Sequence, residues 1–252
     1  MTKFRSEGIF SDCHPEVAAK RPSKGDAPLL RCYLLPMQID VVSDTVCPWC
    51  YIGKRRLARA LELRPEVEFD VRWRPFRLDP SVPRGGLDRR AYMKAKFGDG
   101  PGVKAMSETL RAAGLEEGIA FDFDSIERRP DTIDSHRLIR WAAAVGLQDA
   151  VVERLFQAYF TEGRDIGDPA VLEYLAADVG MDSVQVAELL AEDTDRAQVE
   201  REAALAGEMG ITGVPTFIFA NRFVLSGARE AEVLAKVIDK ALDAEEEEPV
   251  SE

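Results

Sequence analysis

The stretch Met37-Gln-Ile-Asp-Val-Val-Ser43-Asp-Thr-Val-Cys47-Pro48-Trp49-Cys50 decides how the rest of the chain is read. Its first half is short, apolar and β-branched, which suits a central strand over Ile39–Ser43. Its second half opens a helix from Pro48 to about Leu63, because a proline at the first helical position lacks only an N–H that would be unpaired anyway. Ile52, Leu57, Ala60 and Leu61 give that helix one apolar stripe, and Pro65 stops it. Two cysteines therefore fall where a strand gives way to a helix. Cys47 stands at the helix cap, where unpaired N–H groups and the helix dipole favour a thiolate over a thiol. Cys50, one turn further on the same face, is placed to attack a mixed disulfide formed at Cys47. Two thiols three residues apart at this position point to thiol–disulfide exchange.

Beyond the helix, Val67-Glu-Phe-Asp-Val-Arg-Trp-Arg-Pro-Phe76 alternates with period two and reads as a second strand. From Asp88 to about Met209 the spacing is helical throughout. Asp131-Thr-Ile-Asp134, Asp168-Pro169 and Asp182 mark helix starts, Gly146 and Gly180 mark stops, and a long helix begins near Asp195. Alternation returns at Thr216-Phe-Ile-Phe219, turns at Asn221-Arg222 and continues through Phe223-Val-Leu-Ser226 as a hairpin. A last helix covers Arg229 to about Leu242. The plan is α/β: a βαβ unit, a large helical block, then ββα.

The chain has 252 residues, 33 basic and 45 acidic side chains and a net charge of −12. That charge excludes non-specific nucleic-acid binding, which needs a basic footprint. No apolar run approaches the roughly 18 residues of a membrane span. The first 36 residues lack the roughly 7–15 apolar residues at the centre of a secretory signal. They read as an extended leader, with Met37 an alternative start, and a cytoplasmic location follows. Residues 244–252 form an acidic tail. With four cysteines, at 13, 32, 47 and 50, a disulfide scaffold is excluded. A zinc site built on Cys47 and Cys50 would need two more ligands from Cys13, His14, Cys32 and His136, and neighbouring Cys13-His14 makes a poor chelate. Two inert core cysteines are the other bland alternative, opposed by the turn-forming, bulky Pro48-Trp49 between them. No metal and no resident cofactor is expected.

A second motif is Gly210-Ile-Thr-Gly213-Val214-Pro215-Thr216-Phe217. A cis bond before Pro215 would turn the Val214 backbone toward the cysteines and offer it to an extended peptide. Together with Ser43-Asp44, Tyr51-Ile-Gly-Lys54, Trp73-Arg-Pro-Phe-Arg-Leu-Asp-Pro80, His136-Arg-Leu138 and Arg164-Asp-Ile-Gly-Asp168, these motifs resemble the FrnE-like branch of the DsbA family. That branch belongs to the thioredoxin superfamily and is related to 2-hydroxychromene-2-carboxylate isomerases and kappa-class glutathione transferases.

The resemblance runs from about Met37 to Leu242. It implies a thioredoxin-like domain made of residues 37–87 and 210–243, interrupted by an all-helical insertion at 88–209. It also implies a thiol–disulfide oxidoreductase or isomerase acting on protein or small-molecule disulfides. Cys47 would attack, Cys50 resolve, and Pro215 be the cis-proline, with Val214 binding substrate through its backbone. Glutathione or a thioredoxin system would be partner or reductant. The alternative is a glutathione-dependent small-molecule isomerase or transferase; those relatives carry serine where Cys47 stands, so two cysteines favour redox chemistry.

Trp49 is expected to lie exposed beside the thiol as a substrate contact. His136 is a candidate on the substrate side, against a structural role in hydrogen bonding. Asp44 could take the proton of Cys50, but a cap of the turn is the preferred reading.

Overall fold

The computed structural model describes residues 36–246. The leader up to residue 35, with Cys13, His14 and Cys32, and the tail beyond residue 246 lie outside the described residues. Strand β1 (Met37–Ser43), helix α1 (Pro48–Glu62) and strand β2 (Phe69–Pro75) form the βαβ unit. Then come β3 (Leu87–Asp88), α2 (Arg89–Phe97), α3 (Pro101–Glu116), β4 (Arg128–Arg129), α4 (Ile133–Ala144), α5 (Gln148–Phe160), α6 (Pro169–Asp178), α7 (Ser183–Ala191) and α8 (Arg196–Glu208). The hairpin β5 (Thr216–Phe219) and β6 (Phe223–Ser226) and helix α9 (Ala231–Glu246) complete the order.

The main sheet runs β2-β1-β5-β6. β1 is parallel to β2, with Ser43 opposite Pro75, and antiparallel to β5, with Val41 opposite Phe217. The two faces of β1 separate by parity. Ile39 and Val41 join Phe217, Phe219 and residues of α1 and α9 in the principal core, and Val42 packs with Ile218 and with Ala206 of α8 on the other face. Every strand of this sheet was expected, within two residues at each end.

The helical block departs from its expected spacing at one place. Residues 117–132 carry no helix and hold the two-residue strand β4, which pairs with β3 through Leu87–Arg129 and Asp88–Arg128. The reason lies in the side chains: Ile119, Phe121 and Phe123 are buried at every second residue, a strand period rather than a helical one.

Asp168 and Asp182 cap α6 and α7, accepting from Ala170 N at 2.9 Å and from Val184 N at 3.0 Å. Two other helices start where expected but without a side-chain cap. Thr132 is the N-cap of α4 but makes no side-chain bond there. Asp195 sits in the left-handed region at φ 61°, and its carboxylate accepts the Trp141 indole N–H at 3.0 Å instead of capping α8. The hairpin turn is centred one residue earlier than expected, on Ala220 and Asn221, both with positive φ (48° and 52°). The last helix begins two residues later and runs to Glu246.

Arg137 is fully buried in α4 and holds the α7–α8 connection. Its guanidinium donates to Thr194 O at 2.6 Å, to Leu189 O at 2.5 Å and to Asp134 Oδ1 at 2.6 Å, while its plane lies over the Trp141 ring. One side chain thus satisfies the Thr194 carbonyl and adds a second donor to that of Leu189, which also accepts the Thr194 N–H. Arg137→Leu should therefore destabilise the chain by about 3 kcal/mol in urea unfolding, because it strands the Thr194 carbonyl and removes one cationic partner of Asp134 in the interior.

Helix α1 crosses β5 at Gly53. A methyl group there would come within 2.8 Å of Pro215 Cγ and 3.2 Å of Phe217 Cζ. Gly-to-Ala in a helix normally gains up to about 1 kcal/mol. In Gly53→Ala, overpacking of about 1–3 kcal/mol should reverse that sign, read as a lower urea midpoint at unchanged slope.

Candidate active site

Cys47 is the N-cap residue of α1 and Pro48 its first helical residue, as the sequence implied. The loop leading to it is closed by Cys47 N–H donating to Asp44 O at 3.0 Å, and Cys50 N–H returns to Cys47 O at 3.0 Å. No side-chain bond caps the helix. Instead the Cys47 thiol points to the Val214 carbonyl, 3.7 Å away across 167 positions of sequence. The Val214–Pro215 bond is cis. The expected juxtaposition of the two motifs is therefore present, and Gly53 permits it by letting Pro215 rest directly on α1.

Both cysteines are free thiols, with 4% of the surface of Cys47 accessible and 1% of Cys50. Burial pushes the Cys50 thiol well above its usual value, and the neighbouring Cys47 adds to this; the Ser43 hydroxyl and the Asp44 backbone oppose it without prevailing. The sequence reading gave Ser43 no role beyond its place in the Ser43-Asp44 motif, although period two places it on the core face after Ile39 and Val41, where a polar side chain needs a partner. Trp49 is 37% exposed beside the pair, as expected.

Asp44 is completely buried. Its Oδ2 accepts from Leu78 N at 2.8 Å, tying the loop after β2 to the cysteine loop, so its side chain does not cap the turn as the sequence suggested. Oδ1 has no hydrogen-bond partner; His136 Nε2 stands 3.8 Å from it, and Arg129 approaches Oδ2 at 4.0 Å. Burial works against ionisation here, yet His136, Arg129 and the Leu78 amide hold the carboxyl below the usual carboxylate range. Arg129 could not have been anticipated, since the fold brings it from 85 positions away.

His136 is buried at the end of β2 and lines the groove between β2 and α4. It is 4% exposed, and its Nε2 is bonded to Phe76 O at 3.1 Å. The first turn of α4 packs here against the cysteine loop, fixed also by Thr45 Oγ1 and Ser135 Oγ at 2.8 Å, and the imidazole joins α4 to the end of β2. Among the described residues no group of three or more His, Cys, Asp or Glu side chains is arranged to hold a metal ion.

Comparison with known proteins agrees with this geometry. The chain is 31% identical over 206 residues to the uncharacterised protein YwbO of Bacillus subtilis, covering 81% of this chain and 96% of that protein. It superposes on a probable DsbA oxidoreductase from Streptomyces coelicolor with a TM-score of 0.77 and 29% identity, over 86% of this chain and 93% of that one. The fold also matches DsbM, a cytosolic disulfide reductase from Pseudomonas aeruginosa solved with glutathione, at a TM-score of 0.53 and 23% identity over 83% and 97% of the two chains. The model of the DSBA-like thioredoxin domain matches residues 38–239. Strand order, helical block and cysteine placement thus converge with that match, and the chain belongs to the DSBA-like thioredoxin domain family.

Proposed function

We propose that the chain is a thiol–disulfide oxidoreductase working through Cys47 and Cys50. The observation that carries this reading is the Cys47 thiol at the helix cap, 3.7 Å from the Val214 carbonyl, with Cys50 buried behind it. The Cys47 thiolate attacks one sulfur of a substrate disulfide, and the other sulfur leaves as a thiolate and takes up a proton. Cys50 then loses its proton and attacks Cys47 Sγ, releasing the second substrate thiol and leaving a Cys47–Cys50 disulfide. The substrate has gained two electrons, and an external dithiol or two glutathione molecules return the pair to its reduced form. Run backward, the same steps oxidise a dithiol.

Val214, through its backbone, and Trp49, through its exposed indole, are the substrate contacts in this reading, and Pro215 holds Val214 in place. Glutathione or a thioredoxin system serves as electron donor. The likeness to a cytosolic disulfide reductase supports a cytoplasmic reductase direction, and among the described residues no helix is long and apolar enough to cross a membrane.

The test is dithiothreitol-driven reduction of insulin. Cys47→Ser should abolish activity, and Cys50→Ser should accumulate mixed disulfides at Cys47; full activity of the Cys47 variant overturns the assignment. Turnover of an aromatic keto acid with glutathione that survives Cys47→Ser would replace it with isomerase chemistry.

The elevated Cys50 thiol gives a further expectation. In Cys47→Ser, Cys50 should resist iodoacetamide at pH 7 and react only as the solution becomes strongly alkaline. Because the folded state holds this proton more tightly than the unfolded chain, the associated stability is fully present below the ordinary thiol value of about 8.5 and declines as pH rises above it. Urea midpoints at pH 7 and pH 10 measure that decline.

A further inference from the structure

Strand β2 ends the sheet, and parity fixes which of its backbone groups face outward. Met37 N donates to Glu68 O and Phe76 N to Ser43 O, so even-numbered positions of β2 bond to β1. Val71, Trp73 and Pro75 therefore turn their backbone groups away from the sheet. Trp73 displays what this edge accepts. Its N–H donates to Gln148 Oε1 at 2.9 Å, and Gln148 Nε2 donates back to its carbonyl at 3.3 Å. One side-chain amide makes the pair of bonds that a residue on an antiparallel neighbouring strand would make.

The edge forms one wall of a groove of about 740 Å³ whose opposite wall is α4 and α8, with Ile139, Ala143 and Val199 as apolar lining and Arg140 and Glu202 beside them. Along β2 it runs from Asp70 to Pro75, about 20 Å of extended chain. Pro75 lies opposite Ser43, four residues before Cys47, so the groove ends at the level where the cysteine loop begins.

We infer that this edge docks an extended segment of the polypeptide whose disulfide is exchanged at Cys47, added antiparallel to β2, with Gln148 occupying the place a peptide group takes. The inference rests on the thiol-exchange reading and adds a docking place for a polypeptide substrate away from Val214. A small disulfide has no row of backbone groups to match Val71 and Trp73. A second copy would have to bring the edge of a folded sheet between β2 and the wall of α4 and α8. Side chains of both signs beside the edge select little, and backbone bonds carry the affinity.

The experiment compares two substrates with the same leaving group: an unstructured 15-residue peptide whose one cysteine is a mixed disulfide with mercaptoethanol, and hydroxyethyl disulfide. Val71→Pro removes one outward N–H and leaves every bond to β1 intact, a change that edge strands accept. It should raise KM for the peptide about fivefold, the effect of one backbone hydrogen bond, and leave hydroxyethyl disulfide unchanged. Gln148→Ala vacates the edge and should lower the peptide KM about threefold, a gain that a damaged fold does not produce.

Equal effects on both substrates, or none on either, overturn the docking strand. If the wild-type chain turns over neither substrate, the thiol reading fails. The groove is then judged alone by amide exchange at Val71, which a cysteine-free peptide should slow. Slow exchange at Val71 without peptide, whether lost on starting the chain at Met37 or dependent on protein concentration, assigns the edge to the leader or to a second copy and overturns the proposal.

Discussion

A missing methyl group determines where the chemistry can occur. Pro215 rests on α1 at Gly53, and a Cβ at that position would lie inside the proline ring's contact distance. Any larger residue would separate α1 from the start of β5 and withdraw the Val214 carbonyl from Cys47. The two motifs are 165 residues apart, with the whole helical block between them. Their meeting depends less on that block than on close packing between a helix one turn past Cys50 and the first residues of a strand. Dense interiors transmit such local constraints because few voids exist to absorb them.

Buried polar side chains join separate elements in a consistent way. Asp44 joins the cysteine loop to the segment after β2, Arg137 joins α4 to the α7–α8 connection, and His136 joins α4 to the end of β2. Each sits where chain segments without regular structure would otherwise leave backbone groups unpaired. Buried polar groups of this kind add little net stability, but leaving their partners unmatched costs about 1–3 kcal/mol each. Their effect is to allow one arrangement of the loops beneath the thiols. The price is visible in the orphaned Asp44 Oδ1.

The sequence made the sheet and most helices legible because their signals are local. Period two marked β1, β2 and the hairpin, and Asp168 and Asp182 announced their helices through capping chemistry. Residues 117–132 were misread because Ile119, Phe121 and Phe123 sit among helices and are too few to establish a period by themselves. Asp195 opens α8 where expected, but its carboxylate serves Trp141, a partner 54 positions away, instead of capping the helix. At the candidate site, the meeting of the Cys47–Cys50 loop with the Val214–Pro215 pair was legible through spacing and resemblance. Ser43 was there to be found by parity. Arg129 and the inward turn of His136 depend on how α4 and β4 pack, which no short window of sequence records.

The unequal burial of the two cysteines makes the pair chemically polar. A disulfide joining them would present a single sulfur, that of Cys47, to an incoming thiolate, while the Cys50 side would be shielded by α1 and the sheet. An oxidised chain would then open at one end regardless of which reductant arrives. Peroxide or an alkylating agent would meet the same restriction, so damage would fall first on Cys47 and leave the inner sulfur intact behind it.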